Sequence, residues 1–487
     1  MKRVFAYVTV FLLVLSSALL LNGCEIKEPG SFSQDSKSTE ELAEDTGVVV
    51  ETEEKSPREE VVPGEFIISL QAASDLNSLS AGEAGEKMAT ELKKHQDVFA
   101  DSEFEMRSLF REALGESSES FTASTSINSE IVDLAAGSGY LNLVRYPSEK
   151  FADRDEAREK MIEMLESEGI EVNYIEPNYR VEIAGVEAAE FEEQEPWNLE
   201  MIKAPAAWEH ESGSEDLSIG IIDTGIDYNN PYIEDYVDRD GGRNFVREND
   251  VINIDDIMDE NGHGTHVAGI IASQSELSGV MQEAALIPLR VLDASGWGSI
   301  DGVVEALVYS LIEEIDIINM SLGLENRPET LENIVRKVNE HDIIQVAAAG
   351  NKDEENVLYP AAFSRVVAVS AVNDKKKLAG YSNFGTEIDV TAPGSEILST
   401  FSETVAQNNE DARVNEHFGF LSGTSMAAPH VAGKAGLIRS FNPEISAENI
   451  QLLIEDSARE MDNELHFGGG MIDCYRAVGG RLIEPYF

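Results

Sequence analysis

Short apolar runs alternate with helical patterns along the second half of the chain, and this alternation restricts the fold more than any other feature. The strand-like runs cover residues 217–223, 285–293, 315–323, 343–350, 366–372 and 387–392. Helical patterns lie between them at 263–273, 301–313 and 331–341, the last two amphipathic. Buried strands that alternate with helices are typical of βαβ units. The sequence therefore predicts an α/β fold with a doubly wound, mostly parallel sheet and helices on both faces.

Polar residues stand where several of these predicted strands end. Asp223 ends the first run, Ser321 lies at the end of the third, and Asn351 follows the fourth. Ligands of doubly wound sheets bind outside the carboxyl ends of the strands. We therefore expect these residues to line the functional site.

Residues 420–433, FLSGTSMAAPHVAG, combine a small-residue turn at Gly423-Thr424-Ser425 with an apolar segment suited to a buried helix. The first N–H groups of a helix have no partner within the helix, and the helix dipole favours negative charge there. A serine at such a helix start is placed to act as a nucleophile whose oxyanion is stabilised. Ser425 is the candidate.

Two further motifs are IIDTGID at residues 221–227 and NGHGTHVAG at residues 261–269. Together with the serine stretch, in the order Asp, His, Ser, they resemble the motifs of the subtilisin-like serine proteases, the subtilases. The resemblance covers residues 197–478 well and residues 61–182 loosely. It implies a serine endopeptidase that cuts polypeptides through an acyl-enzyme intermediate.

The resemblance also implies a role for each matching residue. His263 takes the proton of Ser425 and returns it to the leaving amine, while Asp223 orients the imidazole. Asn351 donates to the oxyanion together with the N–H of Ser425. The family's walls for the side chain before the cut bond match Ser321, Leu322, Gly323, Ala348, Ala349 and Gly350.

Three further features lie beside the expected cleft. Trp297 either lines a more distant subsite or anchors the core. Lys352 follows Asn351 and either favours acidic substrate side chains or forms a surface ion pair. The acidic insertion at residues 403–416 either shapes the cleft beyond the cut bond or is an inert loop.

We expect the chemistry to require no cofactor. The metal to consider is structural calcium. Many subtilases have an aspartate where Tyr232 follows Pro231, and the loop at residues 273–280 is shorter than theirs. These departures remove the oxygen ligands that calcium prefers. We expect the common family site to be absent. The acidic cluster at residues 253–260 is expected to be solvated charge rather than another calcium site.

The chain begins with Met1-Lys2-Arg3 and a nearly continuous apolar run at residues 4–21. Leu21-Asn22-Gly23-Cys24 follows and resembles a bacterial lipobox. Residues 1–23 are thus expected to be a lipoprotein signal peptide, with a lipid attached at Cys24. Such a protein is extracytoplasmic, anchored to the bacterial cell membrane or released outside. An ordinary cleaved signal or an N-terminal membrane helix is the alternative. Residues 24–60 are polar and read as a disordered tether.

Residues 61–183 carry strand-like runs at 64–70, 140–146 and 172–179 and a helical pattern at 153–168, which predict a small α+β domain. The domain resembles subtilase propeptides, which assist folding and inhibit their own enzyme. Within it, residues 71–137 are interpreted as an insertion, with a separate binding domain as the alternative. Residues 184–196 are expected to be the linker and processing region, and residues 197–487 the peptidase domain.

The charge balance is strongly acidic, with 36 Lys and Arg against 92 Asp and Glu and a net charge of −56. Nucleic acid is therefore excluded as a partner, because its phosphates need basic surface. The charge indicates a solvated surface or adaptation to high salt, which would screen the repulsion. Cys474 is expected to be a buried, unreactive thiol. No pattern indicates an obligate partner, so we expect a monomer.

Two other functions remain compatible with these motifs. The first is a catalytically silent, surface-anchored protein that binds peptides in the same cleft. The second is a maturation protease with one dedicated partner. An intact triad and the oxyanion asparagine favour a working enzyme over the first, and cleavage of unrelated unfolded proteins would argue against the second.

Overall fold

A computed structural model describes residues 60–100, 102–110, 129–184, 187–188, 197–247, 252–273, 278–405 and 415–479. The predicted signal peptide, Cys24 and nearly all of the predicted tether lie outside these residues, as do positions 406–414 of the acidic insertion. Within the described part, no helix combines the length and the apolar character needed to cross a bilayer.

The N-terminal domain is built on an antiparallel sheet with the spatial order β4-β1-β3-β2. Its strands are β1 (Val61–Leu70), β2 (Glu105–Ser108), β3 (Tyr140–Arg145) and β4 (Val172–Ile183). Its helices are α1 (Ala81–Ala100), α2 (Ser129–Ser138) and α3 (Arg154–Ser167). Helix α3 buries Ala157, Met161 and Leu165, which share one face because they are four residues apart. The strands and the helix predicted for this region are present.

The described part of residues 71–137 contributes to the sheet and the core of this domain. Strand β2 pairs with β3 in the sheet, and Met88 and Leu92 of α1 are buried in the same core as the strands. Leu134 of α2 joins that core as well. These elements were missed because α1 carries many charged residues, which conceal the apolar face that it buries.

The second domain is built on a seven-stranded parallel sheet with the order β14-β13-β12-β10-β6-β8-β7. Its strands are β6 (Gly213–Asp223), β7 (Arg243–Asn244), β8 (Glu283–Arg290), β10 (Ile317–Met320), β12 (Ile344–Ala348), β13 (Val367–Val372) and β14 (Val390–Pro393). Six of them coincide with the apolar runs predicted from the sequence, and the short edge strand β7 was not predicted. Shorter strands border the cleft: β5 (Glu187–Ala188), β9 (Trp297–Ser299), β11 (Leu322–Gly323), β15 (Ile397–Thr400) and β16 (Phe418–Ser422).

Helices cover both faces of this sheet, which confirms the predicted α/β doubly wound fold. Their bounds are α4 (Trp197–Ile202), α5 (Ala204–Ala207), α6 (His263–Ile271), α7 (Ile300–Ile312), α8 (Glu329–Glu340), α9 (Thr424–Phe441), α10 (Ala447–Asp456), α11 (Glu464–Phe467) and α12 (Cys474–Val478). Residues of α7 and α8 pack in one hydrophobic cluster, and residues of α6 and α9 in another. Neighbouring strand residues divide between the clusters, as Ile221 and Ile222 do, because side chains alternate across a strand.

The register of the sheet brings the candidate residues to one edge. Ile222 of β6 lies opposite Met320 of β10, so Asp223 and Ser321 leave their strands side by side. Met320 lies opposite Ala347 of β12, which places Asn351 just beyond the same edge. Strands β7 and β8, which follow β6 in the chain, lie on one side of it, whereas β10 and the later strands lie on the other side. The position between β6 and β10 is therefore the topological switch point, where such sheets bind ligands.

Helix α9 runs through the core and packs closely because its residues are small. A Cβ atom at Gly433 would lie 2.6 Å from Val280 Cβ, so no larger residue fits there. Cys474 is fully buried in the same hydrophobic cluster, which confirms the expectation of a structural thiol. Burial raises its pKa to about 12, so it stays a neutral thiol.

Lys434 of α9 is completely buried and donates to Ile454 O (3.0 Å) and Ser457 Oγ (2.8 Å). Burial lowers its pKa from 10.5 to about 8, although Cys474 and Asp473 favour the charged form. Between pH 10.5 and pH 8 the unfolded chain therefore binds a proton that the folded chain does not. This group makes the fold more stable as pH rises through that window.

Replacing Lys434 with methionine is expected to remove this pH dependence. The unfolding free energy of the variant minus that of the wild type should be about 2–3 kcal/mol larger at pH 7 than at pH 10. Urea unfolding of both proteins at the two pH values measures the difference. If the unfolding free energies of the variant and the wild type change equally between the two pH values, Lys434 does not cause the pH dependence.

Candidate active site

The first pair of candidate residues meets at the carboxyl edge of the sheet. The Nδ1 atom of His263, the first residue of α6, lies 2.7 Å from Oδ1 of Asp223 at the end of β6. A carboxylate only accepts, so Nδ1–H is the donor and the Nε2 atom keeps its lone pair. The Thr224 N–H donates to the same Oδ1 atom at 2.7 Å and holds the carboxylate in place. Both side chains are fully buried or nearly so.

Glycines allow α6 to begin this close to the aspartate loop. A Cβ atom at Gly264 would lie 2.1 Å from the carbonyl oxygen of Gly225. Gly225 itself has φ of +102°, which side chains strongly disfavour. These two positions explain why a glycine follows both Thr224 and His263 in the motifs.

Ser425 is the second residue of α9 and is buried at the foot of the cleft. Its hydroxyl lies 3.1 Å from Ser321 O and 3.4 Å from Ala184 O, both of which accept from it. Among the described residues, Nε2 of His263 has no hydrogen-bond partner. The serine is therefore at the expected position, but its hydroxyl is turned toward Ser321 rather than bonded to the histidine.

The side chain of Asn351 is oriented beside the start of α9. Its Oδ1 atom accepts from Thr424 N at 2.8 Å, which identifies the other side-chain atom as the amide nitrogen, a hydrogen-bond donor. The Thr424 hydroxyl in turn accepts from Gly350 N at 3.0 Å. These two bonds join the end of β12 to the serine helix and bring an amide donor next to Ser425.

The sequence interpretation missed a buried carboxylate that connects the two motifs. Asp259 is fully buried and accepts from the Thr224 hydroxyl (2.8 Å), the Thr265 hydroxyl (2.6 Å) and three backbone N–H groups, of Asn261, Gly262 and Thr265. Burial raises its pKa, and these hydrogen bonds oppose the shift. No local signal identifies Asp259, because the N-cap of α6 is Gly262 and the two threonines come from separate motifs.

Two other histidines near the site have structural positions. His266 Nε2 lies 2.9 Å from Ile397 O, and burial lowers the pKa of this imidazole to about 3. His430 lies 2.7 Å from Met426 O and 2.9 Å from the Asn198 side chain, and burial lowers its pKa to about 4. Both rings stay neutral near pH 7 and connect elements of the core.

Strand β4 of the N-terminal domain extends into the cleft between two strands of the second domain. It pairs antiparallel with β9 (Val181 opposite Gly298) and with β11 (Ile183 opposite Leu322). The Ala184 N–H then donates to Ser321 O at 3.3 Å. Further along, β5 pairs with β16 just before the serine motif. The chain before and after Ala184 thus pairs with strands on both sides of Ser425.

Polar contacts hold the N-terminal domain over this cleft. The Glu176 carboxylate accepts from Glu329 N and Thr330 N, at 2.8 and 2.9 Å, where helix α8 begins. Asn178 is fully buried and donates to Glu65 and to Asp301. Carboxylates at helix starts are favourable because the N–H groups there lack partners. These contacts add specificity to the strand pairing.

Two of the open alternatives can be compared with the structure. Lys352 forms an ion pair with Glu325, the second of the two arrangements considered. Trp297 belongs to β9, which borders the cleft and lies opposite Glu182 of β4. Trp297 therefore lies beside the strand of the N-terminal domain that enters the cleft.

Aromatic side chains surround Tyr232. Its ring lies 4.5 Å from the Phe418 ring and 5.7 Å from the His417 ring, so aromatic side chains fill this position. In the acidic cluster, Arg290 pairs with Asp256 and Glu260, while Asp259 is fully buried, so the expectation of solvated charge is wrong for Asp259. In the part of the chain that the structure describes, no group of three His, Cys, Asp or Glu residues is arranged to hold a metal.

We therefore expect chelation of divalent cations to leave the protein unchanged. Calcium needs several oxygen ligands, and neither Tyr232 nor the acidic cluster presents such a set. The melting temperature in EDTA should equal that in millimolar calcium. A lower melting temperature in EDTA would instead reveal a calcium site among residues beyond those considered.

Comparison with known proteins agrees with this geometry. The model of the Subtilase family matches residues 214–471. The thermophilic serine proteinase of Bacillus sp. (strain AK1) is 34% identical over 314 residues, which cover 63% of this chain and 73% of that protein. The major intracellular serine protease of Bacillus subtilis is 36% identical over 258 residues, 51% of this chain and 76% of that protein.

Similarity extends to a subtilisin and to a protease named as extracellular. Subtilisin amylosacchariticus of Bacillus subtilis subsp. amylosacchariticus is 33% identical over 298 residues, 60% of this chain and 73% of that protein. The minor extracellular protease Epr of Bacillus subtilis is 35% identical over 292 residues, 58% of this chain and 41% of that protein. The match and the fold lead to one conclusion: the chain belongs to the subtilase family and is a serine endopeptidase.

Proposed function

We propose that this endopeptidase is made as a self-inhibited precursor that cuts its own chain, with Asp223, His263 and Ser425 as the catalytic triad. The observation that carries the proposal is the position of Ala184, whose carbonyl oxygen lies 3.4 Å from the Ser425 hydroxyl. Extended strands pairing with exposed edges are a common way to bind peptides. The N-terminal domain therefore occupies the cleft as a substrate would.

The proposed chemistry begins with rotation of the Ser425 hydroxyl from Ser321 O to His263 Nε2. The hydroxyl oxygen then attacks the Ala184 carbonyl carbon while Nε2 takes the proton. The bond to the next nitrogen breaks, and His263 returns the proton to that leaving amine. Water hydrolyses the resulting ester, with His263 again acting as the base.

The oxyanion formed in these steps needs donors that are already in place. Asn351 is suited to this role because the bond from Thr424 N to its Oδ1 atom fixes the orientation of its amide. The second donor we assign is the N–H of Ser425, at the start of α9. Each donor of this kind typically contributes about 2.7–4 kcal/mol to lowering the barrier.

The substrate-binding walls follow from the same occupied cleft. Ile183 and Glu182 pair with Leu322 and Gly323, and Ala184 hydrogen-bonds Ser321. We propose that Ser321, Leu322 and Gly323 bind substrate backbone, with Ala348, Ala349 and Gly350 as the opposite wall. The N-terminal domain inhibits because it holds its own chain there until the cut ends are released.

The proposed location is extracytoplasmic, with a lipid attached at Cys24 as the anchor. The support is the sequence Leu21-Asn22-Gly23-Cys24 directly after an apolar run. The similarity to a protease named as extracellular is compatible with this location. The substrates are then polypeptides outside the cytoplasm. The first polypeptide to occupy the cleft is the protein's own propeptide.

Self-cleavage tests the proposal directly. The chain expressed without residues 1–23 is expected to lose its N-terminal domain and to yield a new N-terminus at Gly185. Further trimming within residues 185–196 would shorten that end with time. A fluorophosphonate probe should then label Ser425 in the processed chain, as read by peptide mapping. A chain that stays intact and unlabelled would contradict the proposal.

A further inference from the structure

The slot beside Ala184 contains a side chain that the sequence motifs do not include. A Cβ atom at Gly323 would lie 2.9 Å from Cβ and Cδ1 of Leu358, and one at Gly350 would lie 2.8 Å from Leu358 Cγ. Gly323 and Gly350 end the two proposed walls of the slot for the side chain before the cut bond. The Leu358 side chain therefore fills the space between those walls.

Leu358 is also fixed in this position by its backbone. Its N–H donates to Ala349 O at 3.0 Å, which attaches it to one wall. The next residue, Tyr359, exchanges two hydrogen bonds with Leu324, at 2.9 and 3.0 Å, which attaches the segment to the other wall. Leu358 is 5% exposed. Because its backbone is held from both sides, the Leu358 side chain stays between the two walls.

We infer that Leu358 restricts this protease to substrates with a small residue, such as alanine, before the cut bond. The inference rests on the proposed function, because it takes Ser425 as the nucleophile and the bond after Ala184 as the one cut. The chain's own residue agrees, since Ala184 is 2% exposed and needs little room in the slot. An aromatic residue there would overlap with Leu358.

Peptide substrates that copy residues 181–184 test the inference. In acetyl-Val-Glu-Ile-Xaa-p-nitroanilide, Xaa is Ala or Phe, and kcat/KM is measured for each peptide with the processed enzyme. Wild type is expected to favour Ala by about 100-fold, the scale that overpacking a closed pocket costs. Leu358→Gly should lower this ratio by at least about tenfold, while the volume-conserving Leu358→Met should retain it.

A reciprocal change within the precursor provides an independent readout. Ala184→Phe is expected to slow self-cleavage, and adding Leu358→Gly should restore it, because only the removal of volume makes room for the ring. A general loss of stability would slow cleavage further instead. Faster self-cleavage in the double variant than in Ala184→Phe alone supports the inference that Leu358 limits the size of the residue before the cut bond. Slower self-cleavage in the double variant contradicts it.

The outcomes separate this inference from the proposed function. A wild-type enzyme that labels with fluorophosphonate but cuts the Phe peptide as fast as the Ala peptide would overturn the role of Leu358 alone. A wild-type enzyme that neither labels nor cuts either peptide would overturn the proposed function and the inference with it. Should Leu358→Gly fail to fold, the wild-type ratio of the two peptides decides by itself.

Discussion

A chain with Ser425→Ala is expected to remain a single uncut polypeptide with its N-terminal domain bound. The substitution removes the only proposed nucleophile, and loss of the nucleophile from a triad of this kind lowers kcat on the order of 10⁶-fold. The contacts that hold the domain in the cleft do not involve this hydroxyl, apart from the 3.4 Å approach to Ala184 O. Intact mass after a day of incubation measures the result, and the wild type is expected to be fully cut.

The matched control is Ser440→Ala, which removes a serine from the other end of the same helix. Ser440 is half-buried and lies more than three helical turns from Ser425, so it should have no effect on self-cleavage. Both variants keep the strand pairing of β4 with β9 and β11. Self-cleavage that persists in Ser425→Ala at the rate of the control would rule out Ser425 as the nucleophile.

Much of the site could be predicted because local sequence determines it. The aspartate motif ends a buried strand, and the histidine and serine motifs begin helices, so the fold class and the motif positions follow from the sequence pattern. The contact between Asp223 and His263 and the position of Asn351 beside the serine helix agree with what the resemblance implied. The carboxyl ends of parallel strands lie at the same edge of the sheet, which is why motifs that are separate in sequence meet there.

The remaining features depend on contacts between distant segments, which a single sequence does not reveal. Asp259 becomes a hub because Thr224 and Thr265 approach it from two different motifs. Leu358 fills the slot only because two glycines, Gly323 and Gly350, lie on either side of it. No local pattern predicts either meeting.

In the full chain, the Ser425 hydroxyl is held away from the histidine. The hydroxyl lies 3.1 Å from Ser321 O, while His263 Nε2 has no partner among the described residues. The rotation proposed above exchanges the serine's bond to Ser321 O for one to Nε2, so it gives the buried Nε2 atom a partner. Ser321 O keeps the bond that it accepts from Ala184 N.

Asp223→Asn is expected to slow self-cleavage by about 10⁴-fold without unfolding the precursor. The asparagine amide offers no negative charge to the imidazole, and either its oxygen or its NH₂ group takes the one position that faces both Thr224 N and His263 Nδ1. When its NH₂ group faces Nδ1, the proton of His263 moves to Nε2, and the lone pair that must accept the serine proton is lost. The rate of appearance of the Gly185 end measures this directly, because the reaction occurs within one chain.

Asp227→Asn provides the matched control, since Asp227 belongs to the same motif but accepts from Asn229 N and Glu403 N rather than from His263. Its self-cleavage rate should stay within about tenfold of the wild type, because the asparagine oxygen can still accept one of the two bonds and the change leaves Asp223 and His263 untouched. Equal rates for the two variants would mean that Asp223 acts only as a structural residue. A difference of several orders of magnitude would mean that the carboxylate of Asp223 sets the imidazole tautomer on which the proposed chemistry depends.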